Sequence, residues 1–354
     1  MSNFKRIVTN YSHVVEPDYN KFLPTGSTML NLLLSNNVHG GYPRRKMVNL
    51  IGDSFTGKTF LFWTLLAEVQ KLKIPINCFF DEPELAFEMN APKLFGKNIL
   101  DNVIWEDNPK NKKMIIPGTK DVMKSSPTIE AFGRQVLKSV SSGESCIYGL
   151  DSFDSLFSEK EKEDEDAGYI AARRVRVLNE RMRKSFPAIK KTNSLLIIIS
   201  QVRTNMDAMF GSKKTRSGGK ALKHWATHEI WLALRKPMIA TVRGKKHIIG
   251  GEVIAKTTKN RITGTKGEIS FPLNMYYGID DTKSIIDWLI EEKFWTKSGS
   301  TIKSPFGDMS SDKLIKHVEE NEKREEKLKQ IVQEAWNCLQ DEIADIKSER
   351  KPRY

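Results

Sequence analysis

Eight consecutive residues, Gly52-Asp53-Ser54-Phe55-Thr56-Gly57-Lys58-Thr59, carry the spacing G-x-x-x-x-G-K-T. Glycines at the two ends let backbone N–H groups wrap an anion, Lys58 adds a charge for the outer phosphates of a nucleoside triphosphate, and the Thr59 hydroxyl suits a Mg²⁺ ligand. The apolar run SCIYGL ends in Asp151-Ser152, a carboxylate suited to the hydration shell of the same metal. Hydrolysis also needs a carboxylate to orient water. Asp81, Glu82 and Glu84, in CFFDEPELAFE, are three candidates, and their spacing does not choose among them. Gln201 ends another apolar run, SLLIIIS. A side-chain amide there can sense a terminal phosphate or its water and pass that state to the segment that follows.

That segment is basic. Arg203, Lys213, Lys214, Arg216 and Lys220 are interspersed with Met206, Met209 and Phe210, and Gly211, Gly218 and Gly219 punctuate the stretch. Cations neutralise phosphates, flexible apolar side chains wedge between bases, and glycines allow close backbone approach. The combination suits sequence-independent binding of single-stranded DNA. A net charge of +13 over the chain favours a polyanionic partner in the same direction.

These groups need strands that end together. Between Lys46 and Pro272 the apolar runs KMVNLIG, PINCFFD, SCIYGLD, SLLIIIS and EIWLALR recur, with amphipathic segments between the first four. Near-continuous apolar strands predict a doubly wound α/β core with a mainly parallel sheet covered on both faces, and chemistry at the strands' carboxyl ends. FLFWTLLAEVQKL, after the phosphate loop, is predicted helical. Residues 107–121 and 158–168 read as loops, and in the second, Glu159 to Asp166 hold six carboxylates and two lysines. Beyond Pro272, SIIDWLIEEKFW reads as a helix and the charged stretch after it as one or two more. The expected division is a short N-terminal segment (1–27), a core (28–275) and a small α-rich C-terminal domain with a basic tail (276–354). With 354 residues, 39% of them hydrophobic, the chain can bury a substantial core. Cys78, Cys146 and Cys338 lack metal-like spacing, which fits a reducing cytoplasm. No apolar run approaches the ~18 residues of a membrane span, so a soluble intracellular protein is expected.

The order of parts resembles the RecA recombinases and their UvsX-like phage relatives. It is carried by Pro24-Thr25-Gly26-Ser27 with LNLLL, the phosphate loop, DEPELAFE, YGLDS, AARR, ISQVR through GGKALK, and KTTKNR, over about residues 24 to 300. The resemblance implies a RecA-type ATPase core that binds ATP and Mg²⁺, with Gly52 to Thr59 and Asp151 at the nucleotide and Thr59 and Asp151 serving the metal. It favours Glu84 as the water-activating residue, by way of a one-residue insertion at Pro83, with Glu82 in reserve. It gives Gln201 the coupling of ATP to DNA affinity, and assigns DNA contact to Arg203, Met206, Phe210, Lys213, Lys214, Arg216, Gly218, Gly219 and Lys220. Arg173 matches the Arg that opens the helix after the family's first DNA loop. Lys259 and Arg261 match paired cations sent across the protomer interface to a neighbour's γ-phosphate.

The expected function is a DNA-dependent ATPase of phage type that forms helical filaments on single-stranded DNA. It would promote homologous pairing with duplex DNA and strand exchange, with single-strand-binding and loader proteins as further partners. Two alternatives share the fold. A regulator or mediator without long filaments is favoured by the acidic run and by the roughly 24 residues that precede Thr25, a shorter docking arm than bacterial RecA carries. A hexameric replicative helicase of the DnaB type is opposed by GGKALK and the KNR cations.

Overall fold

The computed structural model describes residues 16–106, 108, 115–161, 167–204, 214–216 and 219–347. Helix α1 (Thr28–Ser35) begins where the Ser27 side chain accepts from the Leu30 N–H and ends at Asn36 in the left-handed region, the polar start and open stop of a short helix. There follow β1 (Lys46–Gly52), α2 (Lys58–Lys71), β2 (Asn77–Asp81), β3 (Val103–Ile104), α3 (Ile129–Ser139), β4 (Cys146–Leu150) and α4 (Ala167–Lys191). Next come β5 (Leu195–Thr204), α5 (Gly219–Trp225), β6 (His228–Val242), β7 (Lys245–Asn260), β8 (Glu268–Asn274) and β9 (Gly278–Ile279). Three helices close the chain: α6 (Asp281–Glu291), α7 (Ser311–Glu319) and α8 (Glu322–Lys347).

The strands lie in the order β9-β8-β7-β6-β1-β5-β4-β2-β3 within a ten-stranded sheet, whose remaining strand, Lys214–Arg216, pairs with β5. From β6 to β3 every neighbour is parallel. β7, β8 and β9 extend the sheet antiparallel. Successive residues of a strand face opposite sides, and the core divides accordingly. Val48, Leu50, Ile147, Ile197 and Ile199 enter one apolar cluster, with residues of α1, α2 and the C-terminal helices. Met47, Tyr148, Leu150, Leu196 and Ile198 enter the other, with α3, α4 and α5. Both faces are covered, which is why these strands read as unbroken apolar runs.

The C-terminal helices join the first cluster through Ile285, Leu314, Val318, Leu328 and Trp336. Gln333 of α8 also bridges the end of α1, accepting from Val38 N and donating to Asn36 O, both at 3.0 Å. EIWLALR is only the first part of β6, which runs on with β7 as a long hairpin. Its turn residues, Arg243 and Gly244, both have positive φ, the geometry of a tight hairpin turn.

Candidate nucleotide and nucleic-acid site

The phosphate loop joins the carboxyl end of β1 to α2. A side chain at Gly52 would meet Thr56 Oγ1 at 2.4 Å and Leu232 O at 2.7 Å, so only glycine lets the chain turn there. Gly57 has φ +89° and supplies no side chain to cap the first turn of α2, whose N–H groups and dipole are left to an anion. Lys58 Nζ and Thr56 Oγ1 both donate to Asp53 O, at 2.7 and 2.8 Å, closing the loop on itself. Burial lowers the Lys58 pKa, opposed by the charges of Asp151, Asp53, Asp154 and Glu84. Ser54 and Phe55 face outward, Phe55 with 89% of its surface exposed.

Across the sheet edge, Thr59 Oγ1 donates to Asp151 Oδ2 at 2.5 Å. Burial raises the Asp151 pKa to about 6 against the Thr59 bond, with Glu84 raising it further and Lys58 lowering it. A hydroxyl and a carboxylate, both hard oxygen donors facing the phosphate loop, fit Mg²⁺. The Asp151–Ser152 peptide is cis.

The three acidic residues after β2 divide by what they hold. Asp81 is fully buried and accepts from Ser126 N (2.8 Å), Ser126 Oγ (2.6 Å) and Tyr148 OH (2.5 Å), which staples the 126 segment to β2 and β4. Glu82 turns back on its own loop, accepting from Ala86 N at 3.0 and 3.2 Å. Glu84 reaches across to the segment after Asp151, where Ser152 Oγ and Ser155 Oγ donate to its Oε1 at 2.7 and 2.8 Å. It lies near enough to Asp151 and Lys58 to act on the charge of both.

Gln201 lies in β5 directly opposite Gly52 of β1, so the strand that leads into the basic loop passes beside the phosphate loop. Its backbone N–H donates to Asp154 Oδ2 at 2.7 Å. β5 continues to Thr204, and Val202, Arg203 and Thr204 pair antiparallel with Arg216, Thr215 and Lys214. The two ends of the basic loop are therefore zipped together, with the backbones of Arg203, Lys214 and Arg216 in the ladder. Gly219, with φ +51°, opens α5, and Lys220 lies in its first turn. Met206, Phe210, Lys213 and Gly218 lie outside the described residues.

Arg173 in α4 donates to Lys160 O at 2.7 Å and lies over the Tyr169 ring at 5.1 Å. Part of the acidic run is neutralised within the chain: Arg134 pairs with Glu159 at 2.7 Å, and Arg174 grips Glu161 through both Nε and a terminal nitrogen. Residues 162–166 lie outside the described residues.

Lys259 and Arg261 lie away from this edge. Lys259 pairs with Glu229 near the start of β6, and Glu229 pairs with Asn49 of β1, three residues before Gly52. That separation along a strand is roughly 10 Å. Lys259 Nζ donates to Lys223 O and His224 O, the last carbonyls of α5, and Arg261 is exposed. Asn260 between them is buried. It donates to Leu33 O and Leu34 O at 3.2 and 3.1 Å, and its Oδ1 accepts from Ile262 N and Thr263 N and meets His228 Nε2 at 3.0 Å.

Asp154, Ser155 and Asn260 escaped the sequence reading. The D-S-F-D-S string after β4 is the one signal that could have flagged the first two.

Residues 14–280 match the RecA N-terminal domain family. The chain is similar to the protein RecA of Azoarcus sp. (strain BH72), 28% identical over 276 residues that cover 78% of this chain and 72% of that one. It is also similar to the RecA proteins of Bordetella petrii and Bordetella pertussis, each 27% identical over 276 residues covering 78% of this chain and 70% of theirs. The matched segment takes in the phosphate loop, Asp151, Gln201 and the Lys259–Arg261 turn, on a mainly parallel sheet that brings the first three to one edge. The chain belongs to the RecA family.

Proposed function

We propose that this chain is an ATP-dependent, single-stranded-DNA-binding recombinase of phage type that assembles as a helical filament and promotes homologous pairing and strand exchange with duplex DNA. The observation that carries the reading is the register of Gln201 opposite Gly52: one strand touches the phosphate loop and then becomes the basic loop. The N–H groups of α2 and Lys58 bind the phosphates of ATP. Mg²⁺, held by Thr59 and Asp151, neutralises phosphate charge when bound. Glu84 orients the attacking water through its second carboxylate oxygen. The Gln201 amide reads the γ-phosphate and orders the 203–220 loop on DNA, so hydrolysis releases the strand. Arg173 adds a cation in the second turn of α4, and Met206 and Phe210 serve as base wedges.

Lys259 lies about 10 Å down the strands from its own phosphate loop with its ammonium tied to the end of α5, and Arg261 follows beyond the strand, which favours their use on a neighbour's nucleotide. Turnover then requires assembly. Single-strand-binding and loader proteins are the expected further partners. The test is ATP turnover with and without single-stranded DNA, with electron microscopy of the same mixtures and Lys58→Ala as the inactive control. Long helical filaments with DNA-stimulated turnover are expected. Rings that unwind forked duplex, or DNA binding without filaments, contradict the reading.

A further inference from the structure

The short 3-10 turn Phe153–Ser155 follows Asp151 and carries contacts in two directions. On one side, Ser152 Oγ and Ser155 Oγ converge on a single oxygen of Glu84, at 2.7 and 2.8 Å. Glu84 is exposed and sits before Leu85, whose φ is +52°. A glutamate in such a segment samples several rotamers unless it is held, and two donors on Oε1 fix the carboxylate and leave the role of acceptor for a water to Oε2. On the other side, Asp154 Oδ2 accepts the Gln201 N–H at 2.7 Å. A carboxylate on a backbone N–H is a strong, short tie, and this one falls where β5 leaves the edge of β1 for the basic loop. The turn is stiff. Phe153 is 2% exposed within the cluster under α3 and α4, and Ser155 N and Leu156 N donate back to Ser152 O and Phe153 O at 3.3 and 3.2 Å.

We propose that this turn is a yoke joining the water-orienting carboxylate to the strand that enters the DNA loop, with Ser155 and Asp154 as positioning residues on its two arms. Asp154 and Ser155 are consecutive, so a shift of the Gln201 backbone moves the Ser155 hydroxyl through one peptide unit. DNA bound to the loop sets the end of β5, the end of β5 sets the yoke, and the yoke sets Glu84. Ser155 acts through Glu84 and Asp154 through the Gln201 N–H, so both are positioning residues. The proposal rests on the reading of Glu84 and of the 203–220 loop given above.

The experiment is steady-state ATP turnover of the full chain with and without poly(dT), for the wild type, Ser155→Ala, Ser155→Thr, Asp154→Ala and Asp154→Asn. Melting temperature and poly(dT) affinity with a non-hydrolysable ATP analogue are measured alongside. Ser155→Ala is expected to lower kcat about fivefold to tenfold with the KM for ATP within about twofold, and Ser155→Thr to restore it. Asp154→Ala is expected to cut the ratio of DNA-stimulated to DNA-free turnover by about fivefold or more, with poly(dT) affinity within about twofold, and Asp154→Asn, which keeps an acceptor, to recover part of the ratio. If the alanine variants fail to fold, the Thr and Asn variants still report. Wild-type stimulation with an unchanged ratio in the Asp154 variants overturns the yoke and leaves the function standing. Loss of kcat, KM and melting temperature together in the variants reduces the turn to a structural element and overturns it too. A wild type that DNA does not stimulate overturns both.

Discussion

At the scale of single residues, the three acids after β2 show what spacing can and cannot carry. Their presence at a strand end was legible. Their different partners were not, because the groups they bind lie far off in sequence: Ser126 and Tyr148 for Asp81, Ser152 and Ser155 for Glu84. Glu84→Gln is expected to lower kcat by about 10²-fold or more with ATP binding retained, and Glu82→Gln to change it by less than about threefold. Single-turnover kinetics beside a nucleotide-binding assay separates the two. The reverse ranking would return Glu82 to the water-orienting role.

Burial of these acids also predicts a pH dependence of stability. It raises the Glu82 pKa to about 7, and those of Asp81 and Asp151 to about 6. A group whose folded pKa is raised contributes stability that is full below its unfolded pKa and lost as pH rises through the folded one. His228, lowered to about 4 mainly by burial, has the opposite sign and offsets part of the gain as pH falls below its ordinary 6.5. The nucleotide-free protein is therefore expected to melt higher near pH 6 than near pH 8, since Glu82, raised to about 7, still binds most of its proton at pH 6 and little of it at pH 8. Equal melting temperatures, or a higher one near pH 8, would contradict these assignments.

At the scale of elements, the parallel strands were readable because burial on both faces leaves unbroken apolar runs. The β6–β7 hairpin was not, because its outer half has no core to enforce a pattern: Leu234, Ile239, Val242 and Ile248 are all exposed. Its turn, Arg243-Gly244, also lacks the Asn-Gly or Asp-Gly signal of such turns. The turn after β7 was read for its cations, yet the buried residue between them holds it. Asn260→Ala removes the ties to the end of α1, to Ile262 and Thr263, and to His228. A loss of about 2–4 kcal/mol is expected in denaturant titration, as for a broken buried network. A loss well under 1 kcal/mol would mean that α1 and the cation turn are positioned independently of it.

At the scale of the whole molecule, the sheet divides its labour between two ends. The carboxyl ends of β1, β4 and β5 gather the phosphate loop, Asp151 and Gln201, and the end of β7, beside the start of β6, carries Lys259 and Arg261. That division follows from strand order, which no local pattern in the sequence encodes. On the proposed use of Lys259 and Arg261 at a neighbour's nucleotide, it makes a lone protomer an incomplete ATPase and gives assembly a chemical reason. Lys259 also ties the far end of α5, so the helix that begins at the basic loop ends on a residue of the proposed subunit contact. The most direct measurement of the central claim, that Gln201 links the nucleotide to DNA, is poly(dT) affinity at one fixed salt concentration with an ATP analogue, with ADP and with no nucleotide, in the wild type and in Gln201→Ala. The wild type is expected to bind about tenfold or more tightly with the ATP analogue than with ADP, and Gln201→Ala to bind equally in both. Equal affinities in the wild type, or an intact difference in Gln201→Ala, would contradict it.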